Sequence, residues 1–311
     1  MFDTITRTIL NFIPENLQYG VGDVLYKKNL EFATVAFGAK EQKIRLSNGM
    51  THYLELGSRT KPAFLLLPGF SDIKETYLIL GKLLEKDFRI LVVDVPGFGN
   101  SESLSGKRNI QKFANWLEEF VSAISLEKFH VYGNSLGGAI LSEFAEKNQE
   151  RFLSVTLSCS AGIWNPGEEG FYEDYRKGRN IFLIETEDHL EHFLNRLFHR
   201  QMYIPHLVKS HLLLRYKKNK EQYSSLMDEL MEDFIFQKGY DKLPDRYRHL
   251  KARTLVVWGE HDSLFPLSAG KILASYIPSS KFVSIPRTGH LPHMESPRKL
   301  AKVLEEFAKG H

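Results

Sequence analysis

Six short apolar runs recur along this chain, five of them stopped by a glycine, proline or acidic residue. They are Ala63–Leu67, Arg89–Val93, Phe129–Tyr132, Val155–Cys159, Thr254–Trp258 and Lys281–Ile285. A strand that faces water on one side alternates apolar and polar residues. A strand buried on both faces reads as a continuous apolar run. Between the runs lie segments with an apolar stripe at helical spacing: Tyr77–Leu84, Ile110–Ile124 and Ala139–Lys147. Strands alternating with helices predict a mostly parallel sheet with helices on both faces, an α/β architecture. Ahead of the first run, Glu41–Ser47 and Thr51–Leu56 flank Asn48-Gly49, a hairpin signal.

The rhythm breaks between Trp164 and Arg248, where helical segments dominate. Thr186 is a candidate N-cap, with Glu187 and Asp188 in the first turn. Leu190, Phe193, Leu194, Leu197 and Phe198 then form one apolar face, and Leu226, Leu230, Met231 and Phe234 another. The expected division is a core over residues 1–163, a helical insertion over 164–248 that caps the sheet, and the rest of the core over 249–311. The first 40 residues are expected to be an N-terminal helical segment. The insertion carries 14 Lys+Arg against 15 Asp+Glu, so the local run Arg215–Lys220 reads as a solvated face rather than an anion site.

Composition narrows the functional classes. With 41 Lys+Arg against 38 Asp+Glu over 311 residues, the chain lacks the basic excess of a nucleic-acid binder. The single cysteine, Cys159, excludes an internal disulfide and a cysteine-based zinc site, and reads as a small core residue. His189 and His192 lie three apart, but no HExxH-type motif accompanies them, so neither a metal nor a cofactor is expected. No apolar run reaches the ~18 residues that a membrane span needs. The N-terminus has no secretory pattern, and the expected location is cytoplasmic. Phe2, Ile5, Ile9, Leu10, Phe12 and Ile13 follow a helical period. They are expected either to pack on the body of the protein or to touch a membrane at its periphery.

The sharpest motif is Gly133-Asn134-Ser135-Leu136-Gly137, after one apolar run and before a helical stripe. The pattern alone arises by chance in about a tenth of chains this long. Its setting gives it meaning: a tight strand-to-helix turn strains the serine backbone and lifts the hydroxyl clear of the sheet. It also aims the N–H of Leu136 at an incoming carbonyl oxygen. A serine hydroxyl needs a base, and the base needs an orienting group. In the order serine, acid, histidine, Asp262 lies past the fifth run and His290 past the sixth, both at strand ends. His293 is a second candidate base, and Glu260 and Asp94 compete for the acid position. Asp94 is better read as fixing its own loop.

At these residues the chain resembles serine hydrolases of the α/β-hydrolase fold, most closely the branch of monoacylglycerol lipases and bacterial esterases and lipases. The likeness runs from Leu67-Pro-Gly-Phe70 and Asp72-Ile-Lys74 through Asp94–Gly99, the serine turn and Trp258–Asp262 to Gly289-His290 and Glu295-Ser-Pro297. It implies Ser135 as nucleophile, His290 as base then acid, Asp262 as orienting carboxylate, and the N–H groups of Phe70 and Leu136 as the oxyanion hole. Pro68 stands where the family usually has histidine; the donor belongs to Phe70, so the hole is expected to survive. The implied substrate is a small-molecule carboxylic ester, a monoacylglycerol or similar short lipid, and the run Gln201–Pro205 resembles the cap of that group. Membrane contact through the N-terminal helix or the cap would suit such a substrate. Two other readings share the triad. Carbon–carbon hydrolases of ring-cleavage products usually have Trp after the histidine, where this chain has Leu291. A slow-turnover small-molecule sensor would need the same residues.

Overall fold

A computed structural model describes residues 15–163, 165, 167–201, 203–233, 247–248 and 250–310. The helical pattern over residues 1–13 lies outside these, as do Trp164, Met202 and Phe234.

Helix α1 (Glu15–Ala36) precedes a hairpin of β1 (Lys40–Leu46) and β2 (Gly49–Leu56). There follow β3 (Ala63–Leu67), α2 (Leu78–Leu84), β4 (Arg89–Val93), α3 (Ile110–Ala123), β5 (Phe129–Asn134), α4 (Leu136–Asn148) and β6 (Phe152–Ser158). The chain then forms α5 (Phe171–Arg176), α6 (Glu187–Leu197), α7 (His206–Lys218) and α8 (Lys220–Met231) before the next strand. It closes with β7 (Thr254–Gly259), α9 (Leu267–Tyr276), β8 (Lys281–Ile285), α10 (Pro292–Glu295) and α11 (Pro297–Lys309).

The eight strands form one sheet in the order β1-β2-β4-β3-β5-β6-β7-β8. The β1–β2 and β2–β4 pairs are antiparallel and all others parallel. Successive strand residues point to opposite faces. Leu65, Leu91, Val131, Leu157 and Val256 therefore join one core cluster with α3, α4 and α9, while Phe64, Ile90, Tyr132, Leu255 and Val257 join a second with α2 and α11. This two-sided burial explains the continuous apolar runs.

The segment between β6 and β7 contains no strand among its described residues. Thr186 caps α6 as the sequence suggests, accepting the N–H of His189 at 3.1 Å. Leu190 and Phe193 of that helix are buried. The Arg215–Lys220 run departs from the solvated-face expectation. Lys217 and Lys218 are exposed, but Arg215 turns inward and donates from Nη2 to the carbonyl of Ser71 at 2.5 Å.

Candidate active site

The parallel strands all end at one edge, and the loops leaving β3, β5, β7 and β8 bring the predicted residues there. Ser135 sits between β5 and α4 at φ 53° and ψ −117°, a conformation L-residues rarely adopt. The turn can be this tight only because its neighbours are glycines. A Cβ on Gly133 would come within 2.6 Å of the Gly137 backbone, and one on Gly137 within 2.4 Å of the Leu67 carbonyl. The Ser135 backbone is pinned by the Ser158 carbonyl, which accepts its N–H at 2.9 Å, and by the Ala161 N–H, which donates to its carbonyl at 3.0 Å.

Asp262 and His290 come from the loops after β7 and β8. His290 Nδ1 lies 2.8 Å from Asp262 Oδ2. Asp262 Oδ1 accepts the N–H groups of Leu264 and Phe265, each at 2.9 Å, so the carboxylate cannot swing away. Both side chains are buried, His290 at 3% exposure and Asp262 at 5%. The imidazole also meets the edge of the Phe265 ring, with centroids 5.1 Å apart.

The competing residues are placed elsewhere. His293 is stacked on Tyr77 (centroids 4.0 Å, planes 5° apart), with Nε2 3.3 Å from Asp72 Oδ2. Asp94 accepts the N–H groups of Lys74 (2.8 Å) and Asn100 (2.9 Å) and pairs with Lys74 Nζ at 2.9 Å, a loop-fixing arrangement. Glu260 accepts from Ser284 Oγ at 3.2 Å on the surface.

Gly69 brings the β3 loop against the serine: a Cβ there would lie 3.1 Å from Ser135 Cβ. Among the described residues no acceptor engages the N–H of Phe70 or of Leu136, the latter being the first residue of α4, where helix donors are free.

Ser135 stands where two cavities meet. One, of about 290 Å³, is lined by His290 and by Leu190, Phe193, Leu197, Val208 and Leu212 of the inserted helices. The other, of about 40 Å³, is bounded by Phe171, Met227, Leu230 and Phe265. Phe70, Ser135, Phe182 and Leu264 border both.

Sequence reasoning did not anticipate two residues near the site, and it placed a third, Cys159, at a strand end beside it. Ser71 and Tyr216 share a hydrogen bond of 2.6 Å across 145 positions, a pairing that no local pattern signals. Cys159 is buried as expected, yet its Sγ, an Asp262 oxygen and a His290 nitrogen all lie within 4.8 Å of one another. This is the one cluster of metal-ligating types among the described residues. Its carboxylate and imidazole are committed to each other, and burial first, then the nearby Asp262 charge, pushes the thiol well above its usual range, so it stays protonated.

Comparison with known proteins identifies the family. Residues 62–297 match the family model for the alpha/beta hydrolase fold. The chain is 29% identical over 257 residues to monoacylglycerol lipase abhd6-B of Xenopus laevis, covering 79% of this chain and 75% of that protein. It is 26% identical over 272 residues to lipase 1 of Psychrobacter immobilis, covering 87% and 81%. The crystal structure of a membrane phospholipase A, a bacterial virulence factor, superposes with a TM-score of 0.87 at 23% identity over 99% of both chains.

Proposed function

The chain belongs to the α/β-hydrolase family, and from that premise we propose that it hydrolyses carboxylic esters through an acyl-enzyme on Ser135. The observation that carries the reading is the 2.8 Å contact of Asp262 with His290, which lines the same cavity as Ser135. Asp262 keeps the Nδ1 proton of His290 in place and leaves Nε2 as the acceptor for the serine proton. As Ser135 Oγ attacks the ester carbonyl, the N–H groups of Phe70 and Leu136 stabilise the developing oxyanion. His290 returns its proton to the departing alcohol, then activates water to release the acid. No metal or cofactor enters these steps.

The relatives at 26–29% identity are named lipases, and the walls of both cavities are largely aliphatic and aromatic. A monoacylglycerol or similar short lipid ester is the substrate these features favour over a ring-cleavage product. In this reading residues 164–248 form a cap, with α6 and α7 enclosing the acyl chain in the larger cavity. Such a substrate lives at a lipid surface. Among the described residues no helix is long and apolar enough to cross a membrane. Helix α1, however, exposes Val24, Leu25, Phe32 and Val35, so contact is peripheral and runs through this helix.

Substitution Ser135→Ala tests the mechanism. Turnover of p-nitrophenyl butyrate and labelling by a fluorophosphonate should both vanish while the thermal midpoint holds. Turnover by the folded variant would reject it.

A further inference from the structure

The residue after Phe70 is in an awkward conformation. Ser71 is buried and has φ +59°, in the left-handed region where a Cβ is disfavoured. The turn around it is closed by the Asp72 N–H, which donates to the Gly69 carbonyl at 3.3 Å. The remaining restraint comes from consecutive residues of α7. Arg215 Nη2 donates to the Ser71 carbonyl at 2.5 Å, and the Tyr216 hydroxyl shares a 2.6 Å hydrogen bond with Ser71 Oγ. Burial pushes the Tyr216 phenol up to about 12, so it stays neutral beside Ser71.

Helix α7 is braced from behind. One turn before Arg215, His211 Nδ1 lies 3.1 Å from Asp23 Oδ1, and its ring stacks on Tyr26 with centroids 3.9 Å apart. A continuous line of contacts thus runs from α1 through α7 to the loop that carries the Phe70 N–H.

Resting on the esterase reading above, we propose that Arg215 and Tyr216 are positioning residues for the oxyanion hole. They hold Ser71 left-handed and so keep the turn closed by the Asp72 N–H on the Gly69 carbonyl; that carbonyl shares its peptide plane with the Phe70 N–H, which is thereby pointed at the reacting carbonyl oxygen. Seating α7 over the cavity and completing the hole are then one event. An enzyme whose cap has lifted binds ester but stabilises its tetrahedral intermediate poorly.

The test is Tyr216→Phe, which removes one oxygen. Deleting an oxyanion donor outright costs about 100-fold or more; a misaimed donor should cost about tenfold. We expect kcat/KM for p-nitrophenyl butyrate to fall about tenfold through kcat, with KM within roughly threefold. Affinity for an alkyl trifluoromethyl ketone, whose serine adduct places an oxyanion in the hole, should fall by the same factor. In a Ser71→Gly background the same substitution should cost under roughly threefold, because glycine takes this φ freely and has no hydroxyl to leave unpaired. Wild-type kcat/KM and ketone affinity, a loss confined to KM, or an equal loss in both backgrounds would overturn the proposal. If Tyr216→Phe does not fold, Ser71→Ala and Ser71→Gly give the comparison. Alanine should lose about tenfold in ketone affinity and glycine under roughly threefold; equal effects would overturn it. Hydrolysis surviving Ser135→Ala sinks the esterase reading itself, whereas normal behaviour of Tyr216→Phe alongside an inert Ser135→Ala sinks the positioning role alone.

Discussion

The backbone N–H of His290 donates to the carbonyl of Leu197 across 2.8 Å, tying the proposed base to the last residue of an inserted helix. Glu295 reinforces this junction. Its Oε2 accepts the N–H of Gly289 at 2.5 Å and its Oε1 the N–H of Arg200 at 3.1 Å. Substitution Glu295→Ala frees both donors and lets the two segments part. It should lower stability by about 1–3 kcal/mol. It should also reduce kcat about tenfold with little change in KM, since a loosened base sits off its reacting geometry. Urea unfolding together with steady-state kinetics on p-nitrophenyl butyrate checks both effects; an unchanged kcat would show that the junction does not hold the histidine.

Substitution Asp262→Asn keeps the volume of the side chain but reverses a proton. The two backbone donors at Leu264 and Phe265 fix the oxygen of the new amide at the Oδ1 position. Its NH₂ group must then face His290 Nδ1 and turn that nitrogen into an acceptor. The imidazole proton moves to Nε2, where it cannot accept from Ser135. The expected loss in kcat is about 10⁴-fold with the fold retained. Fluorophosphonate labelling should slow in parallel. A loss below tenfold would mean that Asp262 does not set the tautomer.

Much of the frame is legible in the sequence because burial on both faces turns the parallel strands into continuous apolar runs. The serine turn is legible because backbone contact at Gly133 and Gly137 leaves room for glycine alone. Helix α7 was not. Its leucines Leu212, Leu213 and Leu214 are adjacent rather than spaced by three and four, since it meets α1 on one side and the cavity on another. Arg215 looked solvated because its neighbours Lys217 and Lys218 are; only the fold shows it turned to Ser71. Pairings over 120 residues or more, such as Ser71 with Tyr216 or Arg108 with Glu229, leave no local trace.

That last pair predicts a pH dependence. Arg108, in the loop after β4, grips Glu229 of α8 with Nη2 to Oε1 at 2.6 Å and Nε to Oε2 at 3.0 Å, and its backbone N–H adds a third bond. The guanidinium hydrogen bonds hold the Glu229 carboxyl down at about 2, against 4.5 for the free group. A carboxylate with a depressed folded value binds fewer protons folded than unfolded. Its stabilisation is complete above pH 4.5 and drains away as the pH falls toward 2. Substitution Glu229→Gln should therefore cost about 1–3 kcal/mol at neutral pH and much less near pH 3. Urea midpoints at the two pH values measure the difference; a cost that does not shrink in acid would show that the pair contributes no linked stability.

Helix α1 carries the prediction about lipid surfaces. At about 100° per residue, Val24, Leu25, Lys28, Phe32 and Val35 fall within a single arc of about 100°. Phe32 and Val35 are three-quarters exposed, and Lys28 lies among them. The opposite face of the helix is occupied, with Asp23 and Tyr26 meeting His211. An apolar arc with one cation suits the headgroup boundary of an anionic bilayer, where each large side chain withdrawn from water contributes about 1.5–3 kcal/mol when fully buried. The double substitution Phe32→Asp with Val35→Asp removes two such side chains and adds two negative charges. Cosedimentation with phosphatidylcholine–phosphatidylglycerol vesicles should fall at least about tenfold. Turnover of soluble p-nitrophenyl butyrate should be unaffected, because neither residue lines the cavities at Ser135. Turnover of monoacylglycerol presented in vesicles should fall with binding. Vesicle binding equal to that of the unsubstituted protein would remove α1 as the contact.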